Sequence, residues 1–160
     1  MEVKEISVWL NKDNMPYLKE EGSGFYVNEQ EMHDSPSKIY DFACSIGMPY
    51  SAVEKVYMLL FDTTNHILSE TMISQGTVNR SLFSAREICQ VALLGGAVSV
   101  ALIHNHPGQT KEPSDEDIMV TMRVQKALEA VGIRLIDHII ATKYGYYSFH
   151  ENNMLKEVAA

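Results

Sequence analysis

The segment from Ala97 to Ile103 restricts the fold more than any other part of the sequence. Apart from Ser99 it consists of apolar residues, several of them β-branched, and it follows a glycine pair of the kind that ends helices. A strand without a polar face must be covered on both sides, as in the centre of a sheet that carries helices. The segment therefore predicts a buried central strand.

Helices and strands alternate around this segment. Three stretches combine an N-cap residue with helical apolar spacing and are predicted helices: Ser35 to Gly47, Ser84 to Leu94, and Ser114 to Gly132. Four stretches have the composition of strands: Val53 to Phe61, Ile67 to Ser74, Ile133 to Thr142, and Tyr146 to Phe149. Ser84 and Glu87 also have the spacing of a capping box. We therefore expect an α/β sandwich with a mixed sheet and about three helices.

The ends of the chain differ from this alternating pattern. Residues 1–33 predict a short N-terminal arm or hairpin, with a turn at Asn11 to Asn14 and a second break at Glu21 to Gly24. Residues 34–153 carry the alternating elements and are expected to form the main domain. Residues 154–160 are expected to be a short C-terminal tail.

Composition indicates a cytoplasmic protein. The chain has 160 residues, 46% of them hydrophobic, which is enough to form a core without crosslinks. Two cysteines are too few for a disulfide framework. No stretch approaches the roughly 20 apolar residues of a membrane span, and the first residues lack the hydrophobic run of a signal peptide.

The charge balance argues against nucleic-acid binding. Thirteen Lys and Arg residues stand against 21 Asp and Glu residues, which gives a net charge of −8. Such a chain repels a phosphate backbone on average, and no cluster of Lys and Arg provides a local exception in the sequence. The glycine fingerprints of nucleotide-binding loops are also absent.

The residues that follow the central strand carry the strongest chemical signal. His104 and His106 are two positions apart at the end of the strand, so their side chains project from the same face. Asp117 follows in the first turn of the next predicted helix. Two imidazoles and one carboxylate can hold a metal ion and leave a fourth position open for water. These ligand types favour zinc, although the spacing alone does not exclude iron or manganese.

Simpler interpretations exist for each of these residues. A His-x-His pair often binds nothing, and Ser114 and Asp117 have the spacing of an ordinary capping box. Capping is compatible with ligation, because a first-turn aspartate lies beside the preceding loop. His138 lies within an apolar strand and is expected to be a hydrogen-bonded core histidine rather than a ligand.

These residues resemble the JAMM motif of the JAB/MPN metalloprotease superfamily, which reads His-x-His, seven residues, Ser, two residues, Asp. The nearer resemblance is to its RadC-like branch, through residues 104–107 and 113–117. Shorter matches to that branch occur at Gly76 to Asn79, Arg86 to Glu87, Asp137 to Ile140, and Tyr147 to Phe149. The resemblance covers residues 34–153 and implies the mixed-sheet, cytidine deaminase-like fold of JAB/MPN domains.

Two segments depart from the pattern of the RadC-like branch. Residues 108–112 read Gly-Gln-Thr-Lys-Glu where the branch typically has Ser-Gly-Asp-Pro-x, and Ala85 replaces a proline. Neither change removes a proposed ligand. The first alters the loop at the mouth of the site, so we expect it to affect the choice of substrate.

The resemblance also implies a general base and an oxyanion-binding hydroxyl. Glu54 is the candidate base, because it begins a predicted strand with the same parity as Val56 and the inward apolar residues that follow. The alternative is a frayed strand end with Glu54 in water. Glu70 and Glu87 compete for the role, but Glu70 is expected to be solvated on its strand and Glu87 to cap its helix. Ser114 is implied to stabilise the oxyanion.

Two functions from different classes follow from these residues and their resemblance. The first is a zinc-dependent hydrolase of peptide or isopeptide bonds that acts on a protein or peptide substrate. The second is a non-enzymatic metal-binding or scaffold module linked to DNA repair or to a mobile element. The intact ligand set favours the hydrolase, since a scaffold has no chemical need for it. A metal-dependent nuclease is disfavoured by the charge of −8 and the single-metal ligand set.

Overall fold

A computed structural model describes residues 2–26, 35–76 and 83–155, which form one mixed sheet with helices on both faces. The strands are β1 (Glu2–Leu10), β2 (Pro16–Tyr26), β3 (Glu54–Phe61), β4 (Ile67–Gly76), β5 (Ser99–Asn105), β6 (Arg134–Thr142) and β7 (Gly145–Ser148). The helices are α1 (Pro36–Ser45), α2 (Ala85–Leu94) and α3 (Asp115–Ala130), with a 3₁₀ turn at Met48–Tyr50. The predicted α/β sandwich with a mixed sheet and three helices is confirmed.

The sheet is organised around β5. Its strand order is β2-β1-β4-β3-β5-β6-β7, with parallel pairing in β1–β4 and β5–β6 and antiparallel pairing elsewhere. Every residue of β5 is buried, as predicted, although the strand begins at Ser99 rather than Ala97. Within the described residues, no helix has the length and apolar character needed to cross a bilayer.

Each face of the sheet carries its own hydrophobic cluster. On one face Val100 and Leu102 of β5 pack with residues of α2 and α3, among them Ile88 and Val124. On the opposite face Ile103 and its neighbours pack against α1. His104 has the parity of Val100 and Leu102, so its side chain faces the helices α2 and α3.

The helices begin at the predicted N-cap residues, but not every N-cap side chain makes the expected capping hydrogen bond. Ser35 and Ser84 are the N-cap residues of α1 and α2, yet neither side chain makes a capping hydrogen bond. The capping box predicted from Ser84 to Glu87 is therefore wrong. Ser114 does form a complete capping box at the start of α3. Gly96 follows α2 with φ +67°, a conformation that glycine adopts without strain.

The N-terminal residues form the predicted hairpin but lack the predicted second break. The side chain of Asn11 accepts hydrogen bonds from two backbone N–H groups of the turn. β2 then continues through Glu21 to Gly24, where the pairing with β1 shifts register between Val3 and Glu5. The glycine-rich segment thus forms a bulge instead of ending the strand. Through β1, the hairpin joins the main sheet beside β4.

Glu70 on β4 is buried, contrary to the expectation that it is solvated. Its exposed fraction is 0%, and neither carboxylate oxygen has a hydrogen-bond partner among the described residues. The N-terminal hairpin is the reason, because β1 pairs alongside β4 and places Glu5 opposite Glu70. Burial, together with the nearby charge of Glu5, raises the pKa of Glu70 to about 7.

We expect Glu70→Gln to stabilise the protein at alkaline pH and to change its stability little at mildly acidic pH. In the folded protein Glu70 has a pKa of about 7 and stays protonated at lower pH. In the unfolded chain its pKa is about 4.3. Stability therefore falls as pH rises between these values and remains reduced above them. Thermal melts at about pH 5 and about pH 8.5 measure the effect, expected to be on the order of a few degrees at the higher pH.

Glu129→Gln, at an exposed position near the end of α3, is the matched control and should show no such pH dependence. If Glu70→Gln is no more stable than the unaltered protein at the higher pH, then the charged, buried carboxylate does not lower the free energy of unfolding. The explanation from burial of Glu70 would then be wrong.

Candidate metal centre

The end of β5 and the start of α3 bring three potential ligands together. The Nε2 atoms of His104 and His106 lie 2.8 Å apart. Asp117 places one carboxylate oxygen 3.4 Å from His104 Nε2 and the other 3.4 Å from His106 Nε2. Glu54 joins them, and the donor atoms of all four residues lie within 4.8 Å of one another.

The three residues fit a single tetrahedral ion. Zinc bonds of about 2.0–2.1 Å give a tetrahedron with edges of about 3.3–3.4 Å, close to both nitrogen–oxygen distances. The nitrogen–nitrogen distance of 2.8 Å is shorter than such an edge. A small rotation of His106, whose side chain is 18% exposed against 0% for His104, would widen it. Two imidazoles and a carboxylate are also a common donor set of catalytic zinc sites.

A buried chain of hydrogen bonds determines which nitrogen of His104 is free. The Thr121 hydroxyl donates to the backbone carbonyl of Asp117 over 2.6 Å, so it accepts from His138 Nδ1, also at 2.6 Å. His138 Nε2 then accepts from His104 Nδ1 over 2.8 Å. The remaining lone pair of His104 is on Nε2, the atom that faces His106 and Asp117. The expectation that His138 is a hydrogen-bonded core histidine is confirmed.

His106 is oriented by its own loop. Its Nδ1 donates to the carbonyl of Thr110 over 2.7 Å, which leaves Nε2 directed at the ligand group. Gln109, with φ +62°, fixes this loop by donating to the Pro49 carbonyl and accepting from the backbone N–H of Lys143. The segment that departs from the RadC-like pattern is therefore held firmly beside the site.

The electrostatics of His104 and Asp117 favour the protonation states that a metal requires, whereas burial of His106 is outweighed by its contacts with Asp117 and the Thr110 carbonyl, which raise the pKa of its imidazole. Burial lowers the pKa of His104 to about 4, so its imidazole is neutral at neutral pH. Burial by itself would raise the pKa of Asp117, but the contacts with His106, His104 and Ser114 outweigh it and hold the pKa well below its usual range. Asp117 is therefore a carboxylate.

Ser114 is engaged with the carboxylate of Asp117. Its hydroxyl and its backbone N–H both donate to Asp117 Oδ2, over 2.6 and 2.8 Å. The backbone N–H of Asp117 donates in return to Ser114 Oγ over 3.1 Å. The capping box and the ligand group thus share one carboxylate, as the sequence allowed.

Glu54 faces the ligands from the first position of β3. Its exposed fraction is 8%, and Val56, two residues later, pairs directly with His104. Burial raises the pKa of Glu54, against a smaller lowering by His106. Neither of the competing glutamates belongs to the group: Glu70 is buried on β4, and Glu87 is exposed in the first turn of α2.

Asn105 positions Glu54, a role that the sequence did not reveal. The backbone N–H of Lys55 donates to Asn105 Oδ1 over 2.8 Å, and Asn105 Nδ2 donates to the carbonyl of Val53 over 3.1 Å. The peptide groups on both sides of Glu54 are therefore attached to the residue between the two histidines. Only the pairing of β3 with β5 brings these groups together.

The fold and the ligand group together define an α/β domain with a candidate metal site, and comparison with known proteins gives its family. The model of the RadC-like JAB domain family matches residues 33–154. A UPF0758 protein of Finegoldia magna is 47% identical over 110 residues, which are 68% of this chain and 48% of that protein. A UPF0758 protein of Thermotoga maritima is 35% identical over 125 residues, 78% of this chain and 55% of that protein.

The chain belongs to the RadC-like JAB domain family. It spans about half the length of the curated relatives it matches. The motifs at residues 104–107 and 113–117 lie within the matched region and form the group described above. The short match at Thr77 to Asn79 lies outside the described residues.

We expect Thr121→Val to weaken zinc binding about 10- to 100-fold, the usual cost of losing a group that orients a ligand. Valine keeps the shape of the side chain but can neither accept from His138 nor donate to the Asp117 carbonyl, so His104 loses its fixed orientation. Competition with a chromophoric chelator measures the affinity. Thr121→Ser retains the hydroxyl and should retain the affinity. Equal zinc affinity in Thr121→Val would show that the chain of hydrogen bonds does not control the ligand.

Proposed function

We propose that this domain is a zinc-dependent hydrolase of peptide or isopeptide bonds. The observation that carries the proposal is the position of Glu54, a buried carboxylate that is not needed as a ligand and lies within 4.8 Å of a His, His, Asp donor set. A purely structural metal site is normally closed by four protein ligands. A three-ligand set with an adjacent carboxylate instead suits hydrolysis, and membership of the JAB family supports this reading.

Each residue has a separate task in the proposed reaction. His104, His106 and Asp117 would hold the ion, which when bound supplies an activated water and polarises the scissile carbonyl. Glu54 accepts the proton from the attacking water and delivers it to the leaving amine. Ser114 donates its hydroxyl hydrogen bond to the oxyanion, which requires the hydroxyl to turn from Asp117 towards the substrate.

Metal analysis and a peptide assay test this proposal together. The purified protein is loaded with zinc, its metal content is measured, and it is incubated with a degenerate peptide mixture and with isopeptide-linked peptides. Cleavage that requires zinc and is lost in His106→Ala supports the hydrolase. Zinc bound in a one-to-one ratio without any cleavage would favour the metal-binding form of the scaffold alternative. No specific zinc binding would contradict the hydrolase and leave only a metal-free scaffold.

We expect Glu54→Gln to retain zinc and fold but to lose about 10²- to 10⁴-fold in turnover, the usual contribution of general-base catalysis. Glutamine keeps the shape of the side chain and one acceptor oxygen, yet it cannot take a proton. Glu116→Gln, at an exposed position next to Asp117, is the matched control and should leave turnover nearly unchanged. Full activity in Glu54→Gln would remove Glu54 from the mechanism.

Ser114→Ala should have two separable effects. Loss of the hydrogen bond from the Asp117 N–H should cost about 1 kcal/mol of stability, as for other N-caps. Loss of the oxyanion donor should lower turnover about 10²- to 10³-fold. Ser35→Ala, at an N-cap whose side chain makes no capping bond, should cost less stability and no turnover. A stability loss with normal turnover would leave Ser114 with the capping role alone.

A further inference from the structure

A cavity beside the ligand group has no part in the chemistry described above. Its volume is about 500 Å³, and it lies between the end of β4, the start of α2 and the side of α3. Arg86 and Arg123 line it from the two helices, together with Glu87. Phe83 and Ser84 contribute to the wall at the start of α2. The cavity is therefore a mixed site with an apolar wall and charged groups.

Strand pairing and helix rise each separate the backbone that lines the cavity from the backbone of the ligands by about 10 Å. Ser74 lines the cavity and pairs with Val56, which pairs in turn with His104. Two strand spacings of about 4.8 Å separate these positions. Along α3, Arg123 follows Asp117 by a rise of about 9 Å. An extended peptide covers this distance in about three residues.

Phe83 connects the cavity with the ligand group. It is buried, and its ring packs edge-on against His138 with the ring centroids 6.2 Å apart. His138 is hydrogen-bonded to His104. A ligand resting on Phe83 would thus lie on the same side of the sheet as the ligand group.

The cavity carries an excess of positive charge in a chain of net charge −8. Neither Arg86 nor Arg123 forms an ion pair within residues 2–26, 35–76 and 83–155. Glu87 opposes them with a single carboxylate. The side chain of Ser84 makes no capping bond, so it does not offset the positive end of the α2 dipole.

We propose that this cavity is a carboxylate subsite of the proposed active site. Arg86 and Arg123 bind a carboxylate of the peptide substrate that lies two to three residues from the scissile bond. Guanidinium groups suit this task, because their planar donors match the two oxygens of a carboxylate. The carboxylate belongs either to an acidic side chain or to a free C-terminus. The assignment of the scissile bond rests on the proposed hydrolytic function, whereas binding of the carboxylate does not require cleavage.

Binding is measured by NMR titration of the ¹⁵N-labelled full chain with three alanine-based pentapeptides. One has a central glutamate and blocked ends, one has a free C-terminal carboxylate, and one is neutral and blocked. Either or both charged peptides should bind about ten-fold more tightly than the neutral peptide and shift the amide signals of residues 84–87. A preference for the first identifies a side-chain carboxylate, and a preference for the second identifies a chain end.

Variants distinguish this subsite from a general electrostatic effect. The double variant with Arg86→Gln and Arg123→Gln should lose the ten-fold preference, whereas Arg134→Gln, at an exposed position on β6, should keep it. Glu87→Gln removes the opposing carboxylate and should strengthen the preference several-fold, which tests the site even if the double variant is unstable. Equal binding of all three peptides, or an unchanged preference in the folded double variant, overturns the proposal. Tight carboxylate binding without any cleavage would retain the subsite and contradict only the hydrolase.

Discussion

The hydrogen-bond chain from the Asp117 carbonyl through Thr121 and His138 to His104 determines which nitrogen of His104 faces the candidate metal site. Its direction is fixed at one end, because a backbone carbonyl can only accept. Each following group must then donate towards Thr121, and the chain ends with a free lone pair on His104 Nε2. If the direction were reversed, His104 would present an N–H to the other ligands. The orientation of His104 at the candidate metal site thus depends on a hydroxyl that touches no candidate ligand side chain.

This chain exists because β5 is buried on both faces. His104 faces α2 and α3, where α3 supplies Asp117 and Thr121 from adjacent turns of one helical face. The parallel neighbour β6 places His138 beside Leu102, within reach of His104. Burial also keeps the imidazoles of His104 and His138 neutral by lowering their pKa values. The apolar packing of the strand and the chemistry at its end are therefore consequences of the same arrangement.

Local patterns indicated that His104, His106 and Asp117 lie together as candidate ligands, but they did not indicate the residues that support them. The same-face geometry of His104 and His106 follows from strand parity, and the position of Asp117 follows from the helix start at Ser114. Both are properties of short segments. Thr121 is four residues after Asp117, a spacing that indicates a shared helical face but not a contact with β6. Asn105 acts on the backbone of β3, and no pattern within β5 indicates this.

The burial of Glu70 is a feature of the fold that the sequence did not predict. Alternation along β4 gives the face on which each residue lies, but not whether a further strand pairs along the edge of β4 and encloses its side chains. The hairpin of β1 and β2 joins β4 through only a short parallel pairing, opposite Glu5. Such a long-range pairing carries no local signal, so an acidic strand residue was expected in solvent. The bulge at Glu21 to Gly24 is similar, because the same glycines that permit a break also permit a register shift.

The two carboxylates at the site have opposite environments, and this separates their proposed roles. Asp117 accepts hydrogen bonds from Ser114 and lies beside the imidazoles of His104 and His106. These contacts stabilise its negative charge and lower its pKa. For Glu54 the largest effect on the pKa is burial, which raises it. A carboxylate that is already stabilised gains little from a proton and suits a ligand, whereas one that is poorly stabilised as an anion suits a proton acceptor. Exchanging the two environments would abolish this division even with every residue in place. Ser114 supports this division through the Asp117 carboxylate itself, whereas Asn105 supports it by holding the backbone on both sides of Glu54.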